Sequence, residues 1–155
     1  MKDQFKEILD QIEKKYESLV IDQPFKCGTV GKEFESKAGV YLLYENGEPL
    51  YVGRTRNLRS RLRSHIQNSH NSASFAFLLA RKKTGLTKAS YQTSGSRVDL
   101  LQTNEHFRKA FDEARDRIRN MDVKVIEEKN PISQALLEIY VAFMTRAKYN
   151  EFGTS

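Results

Sequence analysis

The sequence predicts an α+β fold in which a small three-stranded antiparallel sheet is flanked by helices. Two runs of strand-forming residues are separated by an Asn-Gly turn, and a third alternating run lies far along the chain. The segments around them show apolar residues at helical spacing. A helix, a hairpin, several helices, a strand and a last helix, without regular alternation, are typical of the α+β class.

Length and composition limit the class of protein. The chain has 155 residues, 39% hydrophobic and 30% charged, and we expect residues 1–155 to form a single domain with a sizeable core. No apolar run approaches the roughly 18 residues of a membrane span, and the N-terminus lacks a signal-peptide pattern. With one cysteine, Cys27, no internal disulfide and no cysteine-rich zinc site are expected. These features predict a cytoplasmic protein without membrane contact.

The first half of the chain is predicted to begin with a helix and continue into a hairpin. Apolar residues recur at helical spacing over 3–18, and an irregular connection punctuated by proline and glycine follows. Strands are predicted at 39–44 and 49–53. A helix at 57–67 comes next, capped by Thr55 or Asn57.

The second half is predicted to be mainly helical. A polar loop at 68–74 leads to a short helix at 75–83, which Gly85 closes. An exposed loop at 86–97 and one long amphipathic helix at 98–119 follow. The third strand is expected at 122–127. Pro131 then opens a final helix that runs to about Lys148.

The register of the hairpin decides whether Tyr41 and Tyr51 face the same side. A two-residue turn at Asn46-Gly47 would send the tyrosines to opposite faces. A three-residue loop at 45–47 with glycine in a left-handed bulge position pairs Tyr41 with Tyr51, and we predict this register because a buried face fixes it. Tyrosines are also common in strands for packing alone, but Gly53 favours close approach of another group. The predicted register gathers four aliphatic side chains on the other face: Val40, Leu42, Leu50 and Val52.

Positive charge is concentrated in one segment. From Arg54 to Arg97 there are ten Lys and Arg residues and no Asp or Glu, whereas the rest of the chain has 16 basic and 20 acidic residues. A basic segment free of acids favours contact with phosphates, although a solvated face without a partner has the same composition. We predict that nine of these residues contact nucleic acid: Arg54, Arg56, Arg59, Arg63, Arg81, Lys82, Lys83, Lys88 and Arg97.

The helix predicted at 57–67 carries a narrow apolar stripe with two polar residues along one edge. Arg61 and His65 lie side by side on that edge, one turn apart. A half-buried arginine needs an acceptor, which a substrate phosphate or an acidic residue of the protein can supply. His65 suits a hydrogen-bonded helix histidine as well as a general base.

The last helix carries one carboxylate, Glu138, among small and apolar neighbours. Because an unpaired charge is costly on such a surface, we expect a partner, either an arginine or a metal ion. No second acid is near in sequence, so a magnesium ion bound here would keep most of its waters.

Two short motifs resemble the signatures of the GIY-YIG nuclease family. Gly39-Val40-Tyr41 matches the first and Tyr51-Val52-Gly53 the second, each with valine where isoleucine is common. Arg61 falls at the catalytic arginine of the family, and His65 at a histidine found in several branches. The resemblance spans 39–150 and is clear over 39–66 and 121–150, the expected catalytic core. Residues 1–37 are then an N-terminal helix and connection, and 67–120 a basic, helical insertion.

The same resemblance extends to the last helix and to the function. Glu138 corresponds to the metal-binding glutamate and Asn150 to the asparagine that closes the motif set. The implied activity is a DNA endonuclease that uses Mg²⁺ or Mn²⁺ and leaves 5′-phosphate and 3′-hydroxyl ends. Tyr51 or His65 would be the general base, and Arg61 would stabilise charge on the phosphoryl oxygens. The implied catalytic set is Tyr41, Tyr51, Arg61, His65, Glu138 and Asn150, with Glu138 as metal ligand.

Two alternatives stay open at this point. A non-catalytic nucleic-acid-binding module could retain the same fold and the same basic segment. A nuclease of this length, without a separate DNA-targeting domain, would recognise its target through the N-terminal helix and the basic insertion, or with a partner protein. To cut both strands with one active site per chain, it would form a homodimer or cut twice in sequence.

Overall fold

The structure is a computed structural model that describes residues 2–86 and 97–150. Its four strands form one antiparallel sheet in the order β1-β4-β2-β3. The elements in chain order are α1 (Lys2–Ile21), β1 (Phe25–Lys26), two 3₁₀ turns (Cys27–Thr29 and Lys32–Phe34), β2 (Gly39–Glu45), β3 (Glu48–Thr55), α2 (Leu58–Ser64), α3 (Ser74–Thr84), α4 (Arg97–Thr103), α5 (Glu105–Arg119), β4 (Asp122–Glu127) and α6 (Pro131–Thr145).

The predicted α+β class with an antiparallel sheet is confirmed, but the sheet has four strands rather than three. The additional strand is β1, in which Phe25 and Lys26 pair with Val123 and Asp122 of β4. A strand of two residues is too short to show the alternation by which strands are identified in a sequence. From the sequence alone this segment therefore cannot be identified as a strand, because only its pairing with β4 defines it.

The β2–β3 hairpin has a different register from the predicted one. It closes with a two-residue turn in which Asn46 and Gly47 have φ values of 52° and 80°, as a type I′ turn requires. A bulge then shifts the register by one residue, so that Tyr41 pairs with Gly53 instead of Tyr51. The predicted three-residue loop is therefore wrong. The prediction that both tyrosines lie on the same face is confirmed. A two-residue turn alone would place them on opposite faces, but the one-residue bulge turns one strand's side chains over again.

Helices cover both faces of the sheet. On one face α1 and α6 pack over Val40, Leu42, Val52 and Ile126. On the other face α2, α3 and α5 pack over a cluster that includes both tyrosines. Leu50 belongs to this second cluster and not to the aliphatic set with which it was predicted, because the bulge turns its side chain over.

None of the helices in the described part of the chain has the length and apolar character needed to cross a membrane.

The long helix predicted at 98–119 is wrong in one respect, since it is two helices, α4 and α5. Asn104 separates them, and its side chain accepts a hydrogen bond of 2.9 Å from the Phe107 backbone N–H. An asparagine at the N-cap accepts a hydrogen bond from a backbone N–H that has no partner within the helix, and this stabilises the start of a new helix. Gly85 ends α3 in the left-handed conformation, as predicted. Most of the loop expected at 86–97 lies outside the described residues.

Candidate active site

Two buried side chains, Tyr41 of β2 and His65 at the end of α2, form the deepest part of the site. They are 1% and 0% exposed, and Tyr41 Oη lies 2.8 Å from His65 Nε2, within hydrogen-bonding distance. Within the described residues, His65 Nδ1 has no hydrogen-bond partner. Burial, and to a smaller extent the charge of Arg61, lower the pKa of His65 to about 3. The imidazole is therefore neutral at physiological pH.

Gly53 of β3 provides the space that the Tyr41 ring occupies. A Cβ at this position would overlap the Tyr41 hydroxyl and the ring carbon that bears it. The close approach predicted at this glycine is thus confirmed, and the approaching group is a tyrosine of the neighbouring strand. Burial, followed by the nearby Tyr51, raises the pKa of Tyr41, so its phenol stays protonated.

Tyr51 of β3 lies beside this buried pair. Its ring stacks on Phe75 of α3 with centroids 4.7 Å apart and an interplanar angle of 19°. The Tyr51 ring is 6.3 Å from the Tyr41 ring and 5.8 Å from the His65 ring. Burial raises the pKa of Tyr51, Arg61 lowers it and Glu138 raises it. A cation and a carboxylate therefore act on the same half-buried phenol.

Arg61 of α2 is held by neutral groups. Its Nη1 donates to Ser64 Oγ at 3.1 Å and to the Ser72 carbonyl at 3.2 Å, and its Nη2 donates to Ser74 Oγ at 3.4 Å. An internal salt bridge, one alternative in the sequence, is not found within the described residues. The positive charge of Arg61 is therefore not neutralised by a carboxylate of the described residues, and it lowers the pKa values of Tyr41, Tyr51 and His65.

The serines around Arg61 are the part of the site that the sequence analysis missed. Ser64 follows Arg61 by three residues on α2, which places the two on the same side of a helix. Ser72 and Ser74 belong to a loop rich in serine and asparagine. These two features were visible in the sequence, but nothing in it indicated that the loop folds back onto the helix.

Glu138 of α6 is the carboxylate of the site. Its side chain is 22% exposed, and Arg54 Nε lies 3.9 Å from Glu138 Oε2. Burial raises the pKa of Glu138, and Arg54 opposes that increase. The arginine expected as one possible partner is therefore present, at the outer limit of an ion pair.

Glu138 is also the candidate metal ligand, and its surroundings restrict which metal site it can form. No group of three or more His, Cys, Asp or Glu side chains within 2–86 and 97–150 is placed to hold a metal ion. A divalent ion at Glu138 would thus have one protein carboxylate, with water or substrate oxygens completing its shell. Mg²⁺ is commonly bound in this way.

Asn150 attaches the end of the described chain to the edge strand β3. Its Oδ1 accepts a hydrogen bond of 2.7 Å from the Val52 backbone N–H, and its Nδ2 donates to the Val52 carbonyl at 2.8 Å. The backbone N–H groups of the two preceding residues donate to β3 as well. Asn150 therefore fixes the strand that carries Tyr51, rather than pointing a polar group toward a substrate.

One group of the predicted nucleic-acid contacts lies around α2 and the end of β3. Arg59 and Arg63 line a polar groove on the side of α2 that faces away from Arg61 and His65. The rest of its lining is Asn57, Ser60, Gln67 and the carboxylate-bearing Glu35. Arg59 Nε is buried and has no hydrogen-bond partner in the part of the chain described. Arg56 is exposed, and Arg54 is 46% exposed beside Glu138.

The other group lies around α3 and the start of α4. The guanidinium carbons of Arg81 and Arg97 lie 5.8 and 5.1 Å from the centre of the Phe77 ring. Lys83 forms an ion pair of 2.7 Å with Glu113 on α5. These contacts hold part of the basic segment against the protein itself. The remaining two residues of the set are Lys82, which lies over the Tyr149 ring at 5.5 Å, and Lys88, which is outside the described residues.

Comparison with known proteins gives one family match and remote structural likenesses. Residues 37–94 match the model of the UvrC-like GIY-YIG domain. This range contains both tyrosine motifs, Arg61 and His65, whereas Glu138 and Asn150 lie beyond it. A search of curated proteins found no match.

The solved structures found are of one domain, the N-terminal GIY-YIG endonuclease domain of UvrC from Thermotoga maritima. The form bound to magnesium, its catalytic divalent cation, is 19% identical, covers 90% of this chain and 98% of that chain, and has a TM-score of 0.41. A point mutant bound to the catalytic divalent cation is also 19% identical, with 90% and 97% coverage and a TM-score of 0.41.

Proposed function

We propose that this chain, whose residues 37–94 match the UvrC-like GIY-YIG domain, is a nuclease of the GIY-YIG family. Its proposed activity is that of a divalent-metal-dependent DNA endonuclease that leaves 5′-phosphate and 3′-hydroxyl ends. The proposal takes 39–66 and 121–150 as the catalytic core. One observation carries it: the charges of Glu138 and Arg61 act on the same half-buried phenol, Tyr51. A carboxylate, a guanidinium and a hydroxyl close together are the groups needed to handle a phosphodiester.

Glu138 is the proposed ligand of Mg²⁺ or Mn²⁺. The carboxylate fits this role because it is partly removed from water and shares only a 3.9 Å contact with Arg54. When bound, a divalent ion would stabilise negative charge on the scissile phosphate and the leaving oxygen. Arg54 would then be released from Glu138 and could contact the same phosphate or its neighbour.

Tyr51 is the proposed group that takes the proton of the attacking water. Because its phenol is protonated, it passes its own proton to solvent in the same step and so acts as a relay. Burial and the charge of Glu138 raise its pKa, while Arg61 lowers it. A metal ion bound to Glu138 would neutralise its charge and so remove one of the two influences that raise the pKa of Tyr51. The lowering effect of Arg61 would then be opposed by burial alone. The activation of Tyr51 is therefore coupled to occupation of the carboxylate.

His65 lies beneath the site, in the protein interior. It is fully buried, and its Nε2 is bound to the Tyr41 hydroxyl, so it does not reach a water molecule at the substrate. We therefore assign to His65 and Tyr41 a positioning role, in which their hydrogen bond fixes the rings against which Tyr51 packs. This favours Tyr51 over His65 as the base.

Arg61 is proposed to stabilise the charge that develops on the phosphoryl oxygens. Its three contacts with serine groups orient the guanidinium without neutralising it. A charge held in place before the reaction stabilises the transition state without reorganisation. Arg59 and Arg63, on the other side of α2, are suited to phosphates that flank the cleavage point.

The proposal is tested with supercoiled plasmid incubated with Mg²⁺, Mn²⁺ or EDTA. We expect nicking or linearisation by the wild type with either metal and none with EDTA. Glu138→Gln should slow cleavage at least about 100-fold, while DNA affinity measured by fluorescence anisotropy stays within a few-fold. The matched control is Glu48→Gln, which changes an exposed carboxylate beside the hairpin turn and should cut like wild type. Cleavage by Glu138→Gln at the wild-type rate would contradict the assigned role of Glu138.

A non-catalytic nucleic-acid-binding module is the second candidate. The contact between Arg54 and Glu138 favours it, because the carboxylate has a protein partner without any metal. In the same assay this alternative predicts DNA binding without cleavage under every metal condition. Binding should also be unchanged by Glu138→Gln.

A further inference from the structure

The outer side of α6 is unusual for a surface helix. Glu138 is its only charged residue, and its inner side packs against the sheet. The side that faces away carries Ile132, Ile139 and Phe143, which are 69%, 50% and 75% exposed. A helix that is apolar on all sides is normally buried on all sides, whereas this one has solvent along its outer side in the single chain.

The neighbouring helix α1 extends the apolar surface. Tyr16 of α1 packs edge-on against Tyr140 of α6, with ring centroids 5.5 Å apart. Phe5 and Leu9 lie on the same side of α1 as Tyr16, given 3.6 residues per turn. The resulting α1–α6 face contains six of the ten exposed large hydrophobic residues in the part of the chain described: Phe5, Leu9, Ile132, Ile139, Phe143 and Met144.

The α1–α6 face is large enough to form an interface. With roughly 200 Å² for a fully open large apolar side chain, the six residues expose on the order of 600 Å². That is the upper end of what the largest apolar patch of a monomeric protein offers, about 300–600 Å². A standard protein interface buries about 800 Å² on each partner, so this face would supply most of one.

We propose that the α1–α6 face binds the same face of a second copy of this chain, forming a two-fold symmetric dimer. The first supporting observation is shape. Phe143 projects beside a shallow hollow. In a two-fold symmetric dimer the same surfaces of both copies meet, so a residue near the axis contacts the region around the same residue of the other copy. Phe143 of each copy then fills the hollow of the other. The hollow is lined by Ile139, Ala142, Phe143, Arg146, Ala147 and Asn150.

The second observation is charge. Glu138 is the only charged residue of α6, and the α1 carboxylates Glu13 and Glu17 lie close enough to Tyr140 to act on it electrostatically. DNA is therefore a poor occupant of this face, because carboxylates repel phosphates and phosphate contact requires cations. An apolar protein surface is the better occupant. Arg146 at the rim of the hollow is exposed and can lie against the incoming Phe143 ring, an arrangement that stabilises a guanidinium.

The dimer does not depend on the proposed nuclease activity, although it has a consequence for it. Glu138 directly precedes Ile139, so each copy would bring one candidate metal site close to the shared interface. Packed helices lie about 8–10 Å apart. One assembly would then contain two cleavage sites, one for each DNA strand.

Sedimentation velocity of the full chain over a range of concentrations tests the dimer without any nuclease readout. We expect wild type at twice the chain mass of 18.0 kDa. Phe143→Asp should raise the dimer dissociation constant at least about 100-fold, with an unchanged far-ultraviolet circular dichroism spectrum. The matched control is Ile21→Asp, which changes a residue 81% exposed outside the α1–α6 face and should leave the dimer intact. A wild type that is monomeric at every concentration, or a control that dissociates as Phe143→Asp does, would overturn the proposal.

Disulfide cross-linking gives a second measurement that does not depend on a charged substitution. The only natural cysteine, Cys27, is buried, and burial raises the pKa of its thiol to about 12, so it does not compete. In Ile139→Cys, which keeps Phe143 and changes a half-exposed residue of the same hollow, two thiols near the two-fold axis should form an intermolecular disulfide as oxidised glutathione is reduced. Ile21→Cys should remain monomeric on a non-reducing gel. Absence of the 139–139 product, or equal cross-linking at position 21, would refute the two-fold arrangement.

Discussion

The contact between Gly53 and Tyr41 joins the two motif strands, and it makes Gly53→Ala an informative substitution. The φ angle of Gly53 is not in the left-handed region, so alanine meets no backbone strain there. Its Cβ, however, would overlap the Tyr41 hydroxyl and ring, which is 1% exposed and bound to His65 at 2.8 Å. The Tyr41 ring must therefore move, and the hydrogen bond to His65 is lost.

The expected effect on stability follows from three contributions. Overpacking a buried site costs about 1–3 kcal/mol. Leaving the fully buried His65 without its hydrogen-bond partner costs about 1–3 kcal/mol more. Replacing glycine restricts the unfolded chain and returns about 0.4–1 kcal/mol. We expect Gly53→Ala to lower the free energy of unfolding by about 1–5 kcal/mol, measured by urea denaturation.

The control for this prediction is Gly31→Ala. The three atoms nearest to a Cβ at Gly31 all belong to the carboxylate end of the Glu33 side chain, which is flexible and can turn away. The control should be neutral or slightly more stable than wild type. If Gly53→Ala unfolds within about 0.5 kcal/mol of wild type, the Tyr41 ring is not held against Gly53 and the assigned positioning role of Tyr41 and His65 fails.

Two further predictions concern the groups that hold the site together. The pKa of His65 is lowered in the folded chain from 6.5 to about 3, so the unfolded state binds a proton that the folded state does not. As the pH falls from 6.5 toward 3, wild type should lose about 1.4 kcal/mol of stability for each pH unit relative to His65→Gln. If the free energy of unfolding of the two proteins changes equally with pH, the prediction is contradicted. Asn150→Ala removes two hydrogen bonds to the Val52 backbone and should lower the free energy of unfolding by about 1–3 kcal/mol. Hydrogen exchange at the Val52 amide should become faster, and an unchanged rate would show that Asn150 does not secure the edge strand.

The parts of the fold that could be predicted are those set by local spacing. The strands over 39–44 and 122–127, the helix begun by Pro131 and the end of α3 at Gly85 each depend on residues within one or two turns. Such patterns act over a few residues and can be identified without a partner. The common face of Tyr41 and Tyr51 was predicted from a three-residue loop that does not form. A two-residue turn followed by a bulge brings both side chains to the same face instead.

The sequence by itself determined which chemical groups are present and in what order: two tyrosine motifs, an arginine helix and one carboxylate on an apolar helix. Only the tertiary structure decided how they meet. Asn150 bonds to Val52 across 98 residues of sequence, and the serine contacts of Arg61 depend on how a loop folds back. The exposure of the α1–α6 face also appears only once the sheet has covered the other sides of both helices. Contacts of this kind depend on the packing of distant segments, whose free energy is shared among many residues and leaves no local pattern in the chain.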